Sequence, residues 1–93
     1  MQNRDEFYKK LKERLEDTTT FPTKYLYKFI VPANKDKTKE IENIFNYAGA
    51  VINTKDSRTG KYTSVSVLVD MPNSDEIISK YLEAEKIEGI ISL

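Results

Sequence analysis

Between Tyr62 and Val69 apolar and polar positions alternate: Val65, Val67 and Val69 share one parity, and Ser64, Ser66 and Leu68 the other. Successive side chains of a strand point to opposite faces, so this segment predicts a sheet strand with one packed face. Tyr25-Leu26-Tyr27-Lys28-Phe29-Ile30-Val31 predicts a second strand, rich in aromatic and β-branched residues. With Lys28 turned outward, Tyr25, Tyr27, Phe29 and Val31 face a core while Leu26 and Ile30 share the lysine's face. Two shorter strands are expected at 50–55, burying Ile52, and at 88–93. The first ends among Lys55, Asp56 and Arg58, charges that discourage pairing with a foreign edge, whereas nothing after Glu88 is charged.

Helical spacing fills the intervals. From Arg4 to Glu16 good helix formers carry Phe7, Leu11 and Leu15 four apart, and Asp17-Thr18-Thr19-Thr20 with Phe21-Pro22 ends that helix. Ile41, Ile44, Phe45 and Ala48, with Tyr47 alongside, form one apolar side after an Asn34 cap, and Gly49 closes the helix. Ile77, Ile78, Tyr81 and Leu82 form another after a capping box from Asn73 to Glu76. Gly60 supplies the positive φ that the turn between the second and third strands requires. The order, a helix and then β-α-β-β-α-β, predicts an α+β fold of ferredoxin-like plan: a four-stranded antiparallel sheet, order 4-1-3-2, with two helices on one face. Residues 1–20 read as an N-terminal helix and linker, and 21–93 as the domain proper.

Composition narrows the chemistry. Ninety-three residues make one domain. There is no cysteine, hence no disulfide, thiolate metal site or thiol nucleophile, and no histidine, hence no imidazole base or ligand. Fifteen basic and fifteen acidic residues cancel, leaving no overall field to draw in nucleic acid or an anionic membrane. The charged N-terminus lacks a signal-like apolar run and no later stretch matches a membrane span, so a cytoplasmic location is expected. No phosphate-binding glycine loop or metal-ligand cluster is present, and arginine occurs only at positions 4, 14 and 58, too sparsely for the phosphate cradle of ferredoxin-like acylphosphatases. Lys35, Lys37 and Lys39 read as a solvated helix start. No catalytic residue, metal or cofactor is expected.

Phe21-Pro22-Thr23 leading into Tyr27-Lys28, then Ser57-x-x-Gly60-x-Tyr62-x-Ser64-Val65-Ser66, then Tyr81, resembles the YbeD-like family of small bacterial proteins of unknown function. The resemblance covers roughly residues 21 to 93. It implies a fold similar to ACT domains, the amino-acid-sensing modules attached to metabolic enzymes, and hence a regulatory or adaptor role without catalysis. Where such domains often carry a glycine beside the ligand, this chain has Val31-Pro32-Ala33, which makes backbone approach by a small molecule less easy.

The candidate surface is the open sheet face. Lys28 with Tyr62, Ser64 and Ser66 forms a polar stripe able to hold a small anion or a protein's carboxylate; equally, these are ordinary outward residues of a half-exposed sheet. Leu26, Ile30, Leu68 and Ile90 are expected beside them, an apolar patch that calls for a cover. The N-terminal helix, through Phe7, Leu11 and Leu15, is the cheapest cover; a second copy, as a weak homodimer, or another protein are the others. If the helix lies there, Lys28 pairs with Glu6 or Glu13. RNA-recognition motifs share the strand order but stack bases on outward aromatics, of which this face offers only Tyr62, so nucleic acid is not expected.

Overall fold

The computed structural model describes residues 4–45 and 49–93. The elements are α1 (Arg4–Thr18), β1 (Thr23–Pro32), α2 (Lys35–Ile44), β2 (Val51–Asp56), β3 (Tyr62–Met71), α3 (Ser74–Ala84) and β4 (Ile91–Ser92). The sheet is antiparallel throughout, in the order β2-β3-β1-β4. This is the α+β, ferredoxin-like plan expected from the alternation.

Parity builds the core. Tyr27, Phe29 and Val31 of β1 and Val65, Val67, Val69 and Met71 of β3 are buried on one sheet face, against Ile41 and Phe45 from α2 and Ile77 and Ala84 from α3. The Tyr27 hydroxyl donates to the Ile77 carbonyl at 2.9 Å, which makes burial of a phenol affordable. Both core helices start at asparagine: Asn34 accepts from the Asp36 amide at 2.8 Å, and Asn73 from the Glu76 amide at 2.9 Å. Tyr47 and Ala48, assigned by spacing to the apolar side of α2, lie outside the described residues.

The N-terminal helix does not cover the open sheet face. It packs against α3 in the helix layer: Lys12 Nζ lies 2.9 Å from Asp75, the Ser74 hydroxyl donates to Glu16 at 3.0 Å, and the Tyr8 hydroxyl donates to Glu85. Leu15 is buried and Leu11 packs beside it, but Phe7 stays 53% exposed. Positions four apart advance by about 40° around a helix, so the 7-11-15 stripe winds away from any flat contact. The docking face is instead Tyr8, Leu11, Lys12 and Leu15.

The last strand is also shorter than expected. Instead of beginning at Glu88, β4 comprises Ile91–Ser92, because the turns closed by Ile87 on Ala84 and by Ile90 on Ile87 occupy the residues before it. Gly89 sits at φ +81°, and a Cβ there would meet Pro32 Cγ at 2.9 Å, so this bend needs glycine on both counts. The bend shifts the parity: Ile90 packs against the core and Ile91, opposite Ile30, reaches the open face in its place.

Candidate interaction surface

The register places the outward residues in rows across the sheet. Leu26 stands opposite Leu68, which stands opposite Val51; Lys28 opposite Ser66, then Asn53; Ile30 opposite Ser64, then Lys55. Directly opposed residues share a face, with Cβ atoms about 4.5–5.5 Å apart. Lys28 therefore has Ser66 as its immediate neighbour and Ser64 diagonally, on rigid central strands. Tyr62 is opposite Pro32, four residues beyond Ser66 and about 14 Å along β3, so it does not join Lys28 in one anion pocket.

Around the lysine the face is apolar. Leu26, Leu68 and Ile91 are each more than a third exposed, and Leu93, whose amide donates to the Lys28 carbonyl at 2.9 Å, is 71% exposed. Lys28 makes no ion pair with any described residue, so the pairing with Glu6 or Glu13 that a covering helix would bring does not occur. Lys24, Lys28 and Lys55 project from this face with Asp70 the one acid among them, a local positive excess in a chain of zero net charge. Asn53 and Lys55 were legible in principle, since burying Ile52 turns them outward. Ile91 and Leu93 were not, because Gly89 resets the parity.

Beneath the sheet lies a tyrosine cluster. Tyr25 and Tyr81 share a hydrogen bond of 2.8 Å, and the Tyr27 ring lies 4.8 Å from that of Tyr81. Burial, ahead of all other causes, pushes the Tyr27 and Tyr81 phenols well above the ordinary phenol range; for Tyr81 the hydrogen bond with Tyr25 adds to it. These phenols stay protonated and hold the packing together.

A second concave feature, a cleft of about 550 Å³, separates the start of α2 from the β2–β3 hairpin. Asn34, Lys35 and Lys39 line one wall, and Thr54, Asp56 and Thr63 the other. The Thr63 hydroxyl donates to Asp56 at 3.0 Å, and the hairpin turns on a Gly60 amide donating to the Ser57 carbonyl, with Gly60 at φ +73°. Lys37, between the two lining lysines, pairs with Glu40 instead. Among the described residues no group of acidic side chains is arranged to hold a metal, and no helix is long and apolar enough to cross a membrane.

The profile of the DUF493 family, described as protein of unknown function, matches residues 16–93. The chain belongs to that family. DUF493 is the YbeD family, the one that the Gly-x-Tyr-x-Ser-Val-Ser string resembles. Among solved structures, the DUF493 chain is similar to the ACT domain from the GTP pyrophosphokinase of Chlorobium tepidum, at 13% identity and a TM-score of 0.53, over 76% of this chain and 100% of that one. That likeness is one of fold. No curated protein matches the sequence.

Proposed function

We propose that this DUF493 protein is a non-catalytic regulatory module that works by binding another protein through the open face of its sheet. Lys28, with Ser66 and Ser64 beside it and Tyr62 at the far end, marks the contact. The observation that carries the reading is an unpaired lysine on a central strand, ringed by exposed Leu26, Leu68 and Ile91, on a face that no described residue covers. A contiguous apolar patch of this kind is unusual on a protein with no partner. The positive excess favours an acidic surface opposite it, and an ammonium without an internal ion pair is available to it.

Chemistry by the chain itself finds little support: there is no histidine or cysteine to serve as base or nucleophile near neutral pH, and the buried phenols are held protonated. The ACT-like fold accords with a regulatory role, and the absence of a spanning helix among the described residues with work in the cytoplasm. Weak self-association through the same face or the last strand belongs to the reading as a competing use of the surface.

The test is affinity capture with the wild-type chain and Lys28→Glu side by side, after their melting temperatures have been matched. A protein retained by the wild type and lost by the variant supports the reading. A partner held equally by both contradicts it.

The cleft beside α2 favours a second reading, a small-molecule sensor. Its lysines suit a carboxylate and Asp56 suits an ammonium, as an amino-acid-like zwitterion requires. A ligand at about a hundred times its dissociation constant would stabilise the fold by about 2.7 kcal/mol. A thermal screen against amino acids that yields a shift of that size, lost in Lys39→Ala, would establish this reading instead.

A further inference from the structure

β3 accompanies β1 along its entire length, from Thr23 opposite Met71 to Pro32 opposite Tyr62. On the other side β4 pairs with only Phe29 and Ile30, and the ladder closes with the Leu93 amide on the Lys28 carbonyl. Among the described residues nothing pairs with the remaining half of that edge. Alternate residues of a strand direct both backbone groups to the same side. The Lys28 carbonyl faces β4, so Leu26 and Lys24 present their N–H and C=O groups to the gap in line with it. Among the described residues no backbone hydrogen bond reaches either on that side, apart from a 3.4 Å approach of the Thr23 hydroxyl to the Lys24 carbonyl.

We infer that the Lys24–Leu26 edge of β1 receives an extended segment of a partner protein, which runs antiparallel to β1 and extends the line of β4 across the sheet. A row of unpaired donors and acceptors at strand spacing is complementary to another strand and to little else. Side chains set the partner's pattern. The residue opposite Leu26 lies on the open face against two exposed leucines, Leu26 and Leu93, and is apolar. Two residues further on, the position opposite Lys24 meets an exposed ammonium with no ion pair among the described residues, and is acidic. A second copy is the poorer occupant: pairing its β2 to β1 is a head-to-tail contact that does not close, and a two-fold pairing of two β1 edges sets Lys24 against leucine or lysine, since β1 carries no acid on that face. The inference rests on the protein-binding reading above and names the form of the partner.

The probe is a short blocked peptide containing Thr-Val-Thr-Glu, with valine to sit opposite Leu26 and glutamate opposite Lys24, and the readout is residue-resolved amide exchange of the full chain. With the probe at about ten times its dissociation constant, the Leu26 and Lys24 amides are expected to slow about tenfold, while β2 is unchanged. Leu26→Pro removes the N–H facing the gap and should abolish protection; proline is tolerated where that N–H is unpaired. Should that variant unfold, Lys24→Glu decides: it should lose the glutamate probe and bind one with lysine in its place. The inference is overturned if these amides are already slow in the dilute free chain, if their protection grows with protein concentration without a probe, or if the probe protects β2 instead. If the edge refuses the probe while Lys28→Glu still loses the captured partner, the sheet-face reading stands and this one falls.

Discussion

Leu15→Ala tests how α1 is held to the body of the domain. Leu15 is 8% exposed and sits at the centre of the face that α1 turns to α3, with Lys12–Asp75 and Glu16–Ser74 on either side. Alanine is a better helix former than leucine, so the substitution leaves the intrinsic helix preference intact and removes only packing. Truncating a buried leucine costs about 2–5 kcal/mol; at the rim of a core, where the gap partly collapses or fills with water, about 2–3 kcal/mol is expected. For a domain of this size that lowers the melting temperature by about 10–20 °C. Phe7→Ala, on the same helix but more than half exposed, should change stability by no more than about 0.5 kcal/mol. Thermal and urea denaturation of the two variants against the wild type decide the matter. Equal losses would refute the placement of the helix, and no loss from Leu15→Ala would mean that α1 does not dock.

Asn73→Ala should cost about 1 kcal/mol by stranding the Glu76 amide at the start of α3, and Asn73→Ser should restore most of it, read by urea denaturation. Gly89→Ala should destabilise by about 1–2 kcal/mol, because the left-handed bend disfavours a Cβ and that Cβ would strike Pro32; a neutral effect would mean that the loop before β4 relaxes freely. The Tyr27 and Tyr81 phenols are raised above their unfolded value of about 10, so the folded chain keeps protons that the unfolded chain loses there. Their contribution to stability is intact below about pH 10 and falls as pH rises beyond it; denaturation followed across that range should show the decline, and Tyr81→Phe should lessen it.

The sheet was legible because its determinants are local and repetitive. Four apolar positions on β1 and three valines on β3 fix which face is buried, and that fixes the pairing of two long strands before any contact is known. Asparagine two or three residues ahead of a paired backbone amide announced both core helices in the same way. Less was legible where one distant contact decides. The turns before β4 and the bend at Gly89 shorten the strand and exchange Ile90 for Ile91 on the open face; the glycine is plain in the sequence, but Pro32, against which its missing Cβ leaves room, is far from it along the chain. The three-residue stripe of α1 fits several surfaces equally; the partners that choose among them, Glu85, Ser74 and Asp75, lie on or beside another helix. The candidate face followed from Lys28's parity, but its separation from Tyr62 emerged only from the register, and the stretch of β1 edge that no described residue pairs emerged only from the extent of β4.

Acylation footprinting of the lysines tests the central claim most directly, since Lys28 is both the proposed contact and the reactive group that reports on it. The comparison is between the free chain and the complex captured by the wild type, with Lys86, exposed beyond α3, as the internal reference. The account predicts that Lys28 and Lys55 react at rates comparable to Lys86 in the free chain and become several-fold slower in the complex, while Lys86 is unchanged. Lys28 reacting as fast in the complex as in the free chain would contradict it.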